Sequence, residues 1–112
     1  MDNRYAANIQ CMVDAVLTSP GETDPSLRWA VETRSAQLGG RPTAQVGHIP
    51  PELATYVDKV AQHAYKTTDE DIEALRKAGY SEDAIFEITL STALGAGIAR
   101  LERGLAALKG DE

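Results

Sequence analysis

The chain has 112 residues, 43% of them hydrophobic and 25% charged, with a formal net charge of −6 and a single cysteine. That length suits one domain, with room for one core built without a disulfide or a metal. The acidic balance and the lack of any Lys/Arg cluster argue against a nucleic-acid partner, because phosphate binding needs a basic surface.

Residues 4–17 set Tyr5, Ile9, Met12, Val13, Val16 and Leu17 on one helical stripe. Pro20 and Gly21 break that helix. Asp24-Pro25, an N-cap followed by a first-turn proline, opens a second helix that Gly39-Gly40 closes, with Leu27, Ala30, Val31 and Leu38 inward. Residues 39–50, GGRPTAQVGHIP, read as an ordered loop rich in Gly and Pro. His48 in that loop has no partner at metal-ligand spacing, and no metal or cofactor is expected.

Pro51 opens a third helix, with Leu53, Tyr56, Val57, Val60, Ala61 and Ala64 on its stripe. Thr67 or Thr68 caps a short fourth helix, and Thr67 with Glu70 fits a capping box. That helix stops at Gly79, and Ser81 caps a long fifth helix over about residues 82–108. The fifth helix is apolar on two sides: Ile85, Ile88, Thr92 and Ala99 on one, and Leu94, Ile98, Leu101, Leu105 and Leu108 on the other. One small chain cannot cover both, so the second stripe predicts burial against another subunit. The expected fold is a single all-α domain over 1–112, of about five helices, and oligomeric.

The N-terminal MDNRYAANIQ lacks the basic, apolar and small-residue progression of a signal peptide. No apolar run is read as long enough to cross a bilayer, so no membrane partner is expected. One cysteine cannot form an intrachain disulfide, which fits a cytoplasmic location.

The stretch TTDEDIEALRKAGYSEDAIFEITLSTALGAGIARL places a short helix ending in Ala-Gly before YSEDAIFEITL and a long helix rich in small residues. This order resembles the alkylhydroperoxidase D-like, or carboxymuconolactone decarboxylase, family of all-helical proteins, with the likeness covering about residues 51–108. The redox branch of that family carries Glu-x-x-Cys-x-x-Cys-x-x-x-His. Counted back from Gly79, those positions fall on Ala61, Ala64, Thr67 and Asp71. Peroxide reduction needs a thiolate and a resolving thiol, and this chain lacks the CxxC motif. The resemblance implies the fold and a homo-oligomer, often a trimer or hexamer, without the peroxidase chemistry.

The remaining candidates are polar groups on apolar faces, which are costly to bury unpaired. Arg34 falls between Leu27, Val31 and Leu38, and Glu87 continues the stripe of Leu94, Ile98, Leu101 and Leu105. A structural ion pair of Arg34 with Glu87, within the chain or across the subunit interface, is one expectation. The functional alternative makes Arg34 an anion clamp and Glu87 an acid or base of raised pKa. His63, Asp71 and Glu87 are the candidate catalytic groups, and Arg34, Tyr65 and Thr67 the candidate substrate-binding groups. Such a pocket would take a small organic acid, in the manner of the decarboxylase side of the family. The alternatives are a non-catalytic structural, ligand-binding or partner-binding oligomer, and a thiol peroxidase that uses Cys11 between subunits.

Overall fold

The computed structural model describes residues 3–42 and 47–110, with the side chains of the first helix from Ala7 onward. Five helices follow in order: α1 Asn3–Thr18, α2 Pro25–Leu38, α3 Pro51–His63, α4 Asp69–Lys77 and α5 Glu82–Lys109. A single 3-10 turn, Ala64–Lys66, joins α3 to α4. No strand occurs among the described residues, so the chain is all-α. Tyr5, placed on the α1 stripe by its spacing, lies outside the described side chains.

The helix starts follow local chemistry. The Asp24 carboxylate accepts the Ser26 N–H at 3.0 Å and Pro25 sits at the first position of α2. Ser81 accepts the Ala84 N–H at 3.1 Å, while Glu82 and Asp83 occupy the positive end of α5. The capping box of α4 is Thr68 with Asp71, rather than the expected Thr67 with Glu70. Asp71 is the third residue of α4 and accepts the Thr68 N–H at 2.8 Å; Glu70 is one position too early to reach back. Gly79, at φ +104°, makes the turn into α5 that a side chain would strain.

Contacts along α5 fix the helix directions. Thr23 meets Glu87, Glu32 meets Gly95 and Gly39 meets Ala96, so α2 runs parallel to α5. Tyr56 bonds Thr89, and the Ala61 carbonyl accepts from Arg100, so α3 runs the same way. Helix α1 is antiparallel to them, with Ile9 and Val13 beside Ile98 and Leu105 and with Val16 nearer Leu90. At the α2–α5 crossing the backbones touch. A Cβ on Gly95 would stand 2.3 Å from the Glu32 carbonyl oxygen.

The core is built around Val31, Leu53, Tyr56, Val57, Leu75, Ile85 and Ile88, with Val13 and Leu17 of α1 also buried. Each fully buried aliphatic side chain contributes roughly 1.5–3 kcal/mol relative to exposure. Helix α2 has neighbours in α1, α3 and α5 and therefore buries polar residues as well. Arg28, Glu32 and Ser35 are all buried there. None of the three was singled out by apolar periodicity, because a helix covered on several sides has no clean solvent stripe.

Helix α5 corrects one expectation. By length and composition it is apolar enough to cross a membrane, contrary to the expectation that no run is long enough. Much of that apolarity serves the core: Ala84, Ile85, Ile88, Thr92, Ala96 and Ala99 are buried inside the molecule.

Candidate functional site

The six residues singled out from the sequence do not converge on one site; only His63 and Tyr65 touch each other. Arg34 donates two parallel bonds to Asp58 on α3, Nε to Oδ1 at 2.6 Å and Nη2 to Oδ2 at 2.7 Å. The expected in-chain pair of Arg34 with Glu87 is therefore corrected. Arg34 lies on the α3 side of α2, whereas Glu87 points toward the turn between α1 and α2. Bidentate geometry commits this guanidinium to one carboxylate and raises its pKa, chiefly through the Asp58 hydrogen bond.

Glu87 is bound from several directions. Its carboxylate accepts the Glu22 N–H at 2.8 Å, the Thr23 N–H at 2.9 Å and the Thr23 hydroxyl. Burial acts to raise its pKa, but the Thr23 hydroxyl, the two N–H groups and the Arg28 guanidinium outweigh burial and lower it. The direction is opposite to the raised pKa expected of a catalytic acid. Opposite Glu87, Arg28 donates to the carbonyls of Val16 and Ser19, both at 2.6 Å, and of Thr23 at 3.2 Å.

Asp71 accepts from the Lys59 ammonium at 3.0 and 2.9 Å. The Lys59 hydrogen bond, with the Thr68 N–H second, holds the carboxyl below its ordinary value. Asp71 lines a cleft of about 160 Å³ between α3 and α4, with Glu52, Thr55, Tyr56, Lys59, Ala74 and Leu75. None of the other five candidates lines that cleft. His63 is exposed at the end of α3, its ring edge-on to Tyr65 with centroids 6.0 Å apart. Tyr65 is 81% exposed, and Lys66 lies 5.8 Å from its ring centre. The Thr67 hydroxyl is buried with no hydrogen-bond partner.

A larger concavity lies elsewhere. A groove of about 340 Å³ between α1, α2 and α5 is walled by Ile9, Val13, Trp29, Ile98, Leu101 and Leu105. Gln10, Glu32, Arg41 and Glu102 form its polar end. Arg41 Nη1 bonds Glu32 at 3.1 Å and Arg41 Nε bonds Glu102 at 3.1 Å. Burial works against the Arg41 charge, and the bonds to Glu102 and Glu32 more than restore it. The sequence signal for this groove was faint, because Arg41 sits in a loop and joins residues 9 and 61 positions away.

Among the described residues, no group of three or more His, Cys, Asp or Glu side chains is placed to hold a metal ion. Cys11 is exposed on α1. No protein-family model, curated protein or solved structure matches this chain.

Proposed function

We propose that this chain is a non-catalytic, self-associating helical protein whose assembly surface is the outer face of α5. One observation carries the reading: that face is apolar and only partly covered within the chain, with Leu90 and Leu94 half-buried. Phe86 is 65% exposed, Leu101 43% and Leu108 82%, with Leu90, Leu94, Gly97 and Gly104 spaced between them at helical intervals. No charged residue interrupts this stripe between Phe86 and Leu108, and a contiguous exposed apolar stripe is a candidate interaction surface. Gly97 and Gly104 sharpen the point. Each weakens an exposed helix by about 1 kcal/mol relative to alanine, and neither has an in-chain neighbour that demands it. A second helix backbone approaching closely would give both a reason.

The candidate catalytic carboxylates favour the same reading. Asp71 and Glu87 are both committed to hydrogen bonds that keep them ionised, and Arg34 is engaged by Asp58. Helix order and the 61–79 spacing support kinship with the alkylhydroperoxidase D-like group as a non-redox relative. On that reading Ala64 and Thr67 stand at the thiol positions, and the assembly is a trimer or hexamer. A single cysteine fits a cytoplasmic setting.

Sedimentation velocity across micromolar protein concentrations tests the proposal. An oligomer that Leu101→Glu converts to monomer is the expected result. A compact monomer at the highest concentration would overturn it.

A further inference from the structure

The groove between α1, α2 and α5 has the character of a binding site for a small molecule, independent of the outer face of α5. Its volume, about 340 Å³, reaches the lower range of ligand pockets, about 300 Å³. The walls are aliphatic with one aromatic plane, Trp29, which is 40% exposed. The polar residues collect at one end. This is the division of labour expected of a ligand site, in which apolar walls supply burial and a few polar groups fix orientation.

The charge at that end selects the ligand. Among the lining residues two carboxylates, Glu32 and Glu102, face a single guanidinium, Arg41. Arg41 contacts one oxygen of each, Glu32 Oε2 and Glu102 Oε1, and an ionised carboxylate has acceptor sites on both oxygens. Counted over the lining side chains alone, the end carries one excess negative charge with acceptors to spare, while Arg103 packs on Gly40 behind it. The Glu32 side chain is only 6% exposed, so its charge is poorly screened, whereas Glu102 is 56% exposed and reachable from solvent. Trp29 adds an aromatic wall for the apolar part of a ligand. The chain's net charge of −6 also draws cations toward it. An organic anion would meet the two carboxylates, with Arg41 already occupied.

We infer that this groove binds a small organic cation: an amine or quaternary ammonium head on an apolar body, with the head against Glu32 and Glu102 and the body along Trp29, Ile98 and Leu105. This is the opposite charge preference from an organic-acid pocket. It does not depend on how the chain assembles, because the outer stripe and the groove share only Leu101 at their border.

The test compares three molecules of one skeleton, phenylbutylamine, phenylbutanol and phenylbutyrate, titrated against the full chain. The readout is the emission of Trp29, the single tryptophan, which lies in the groove wall. The expected order is amine tightest, the alcohol about tenfold weaker, as loss of one charge-assisted contact gives, and the carboxylate weakest. Raised salt should weaken the amine alone. Glu102→Gln should weaken the amine several-fold and leave the alcohol unchanged. Glu32→Gln should do the same, and if it fails to fold, the exposed Glu102→Gln decides the matter. Equal affinity for amine and alcohol, tighter binding of the carboxylate, an amine affinity unmoved in Glu102→Gln, or no saturable Trp29 response would each overturn the inference. Sedimentation of the same samples reports assembly separately, so failure of one reading is distinguishable from failure of the other.

Discussion

Thr23 and Glu87 meet across 64 positions of sequence, the Thr23 N–H and hydroxyl both donating to one carboxylate of α5. The Thr23 carbonyl accepts from Arg28. One residue of the turn between α1 and α2 is thus held by an acid through its donors and by a base through its acceptor. Together they take up backbone groups that a turn packed on a helix would otherwise leave unsatisfied.

Glu87→Gln should destabilise the fold by about 1–2 kcal/mol, since charge-assisted bonds to backbone N–H groups are replaced by a weaker neutral acceptor. Urea denaturation at neutral pH measures it. The pH dependence is specific. The folded pKa of Glu87 lies below its ordinary value of 4.5, so its contribution is complete above that value and disappears as pH falls through the lowered folded value. Wild type should therefore lose more stability than Glu87→Gln between about pH 5 and pH 3. Parallel losses in the two proteins would show that Glu87 carries no such linkage.

Arg28→Met removes the donor shared by three carbonyls while keeping most of the buried volume. Arg28 itself is 2% exposed, and its bond to the Thr23 carbonyl is buried. We expect a loss of about 3 kcal/mol or more, read from the denaturation midpoint. A change under about 0.5 kcal/mol would mean that the turn is satisfied by other groups.

The three glycines in the middle and distal part of α5 should respond in opposite directions. At Gly95 a methyl would strike the Glu32 carbonyl, and Gly95→Ala should cost about 1–3 kcal/mol by forcing α2 and α5 apart. At Gly97 and Gly104 a Cβ meets nothing within 4 Å of the chain itself. Alanine there should stabilise an isolated subunit by up to about 1 kcal/mol each. If α5 pairs with another copy at those positions, the same substitutions should shift the sedimentation equilibrium toward monomer. Comparing thermal midpoints with association constants separates the two effects.

The Arg34–Asp58 pair is bidentate but more than a third exposed, with side-chain exposures of 36% and 37%. A double-mutant cycle of Arg34→Met and Asp58→Leu should give a coupling of about 0.5–1 kcal/mol. The companion cycle, Arg34→Met with Glu87→Leu, should be additive within about 0.5 kcal/mol, because each residue has its own partners. Strong coupling in the second cycle would contradict the geometry.

The helices themselves were legible because their signals are local. Asp24-Pro25, Pro51, Ser81 and Gly79 mark real boundaries, and the inward face of α3 follows its 3.6-residue period. The capping box was misplaced by one residue because two threonines stand side by side. Side-chain partnerships were harder to read. Arg34 and Glu87 were both recognisable as polar groups on apolar faces, yet spacing within one helix says nothing about which neighbouring helix each faces. Arg28 and Glu32 were missed for a related reason: a central helix buries polar residues wherever a carbonyl or counter-ion arrives from elsewhere. The groove joins α1, α2, the following loop and α5, and no single stretch of sequence contains its pattern.

The order of elements along the chain has a consequence for biogenesis. Helix α5 is the surface on which α1, α2, α3 and α4 all pack, and it follows every one of them. A growing chain therefore presents Val31, Leu53 and Val57 to solvent until the residues after Glu82 emerge. Domains generally fold as units, so the earlier helices condense together when α5 arrives rather than one after another. Before that moment the apolar faces of α2 and α3 lack the helix that covers them in the folded chain.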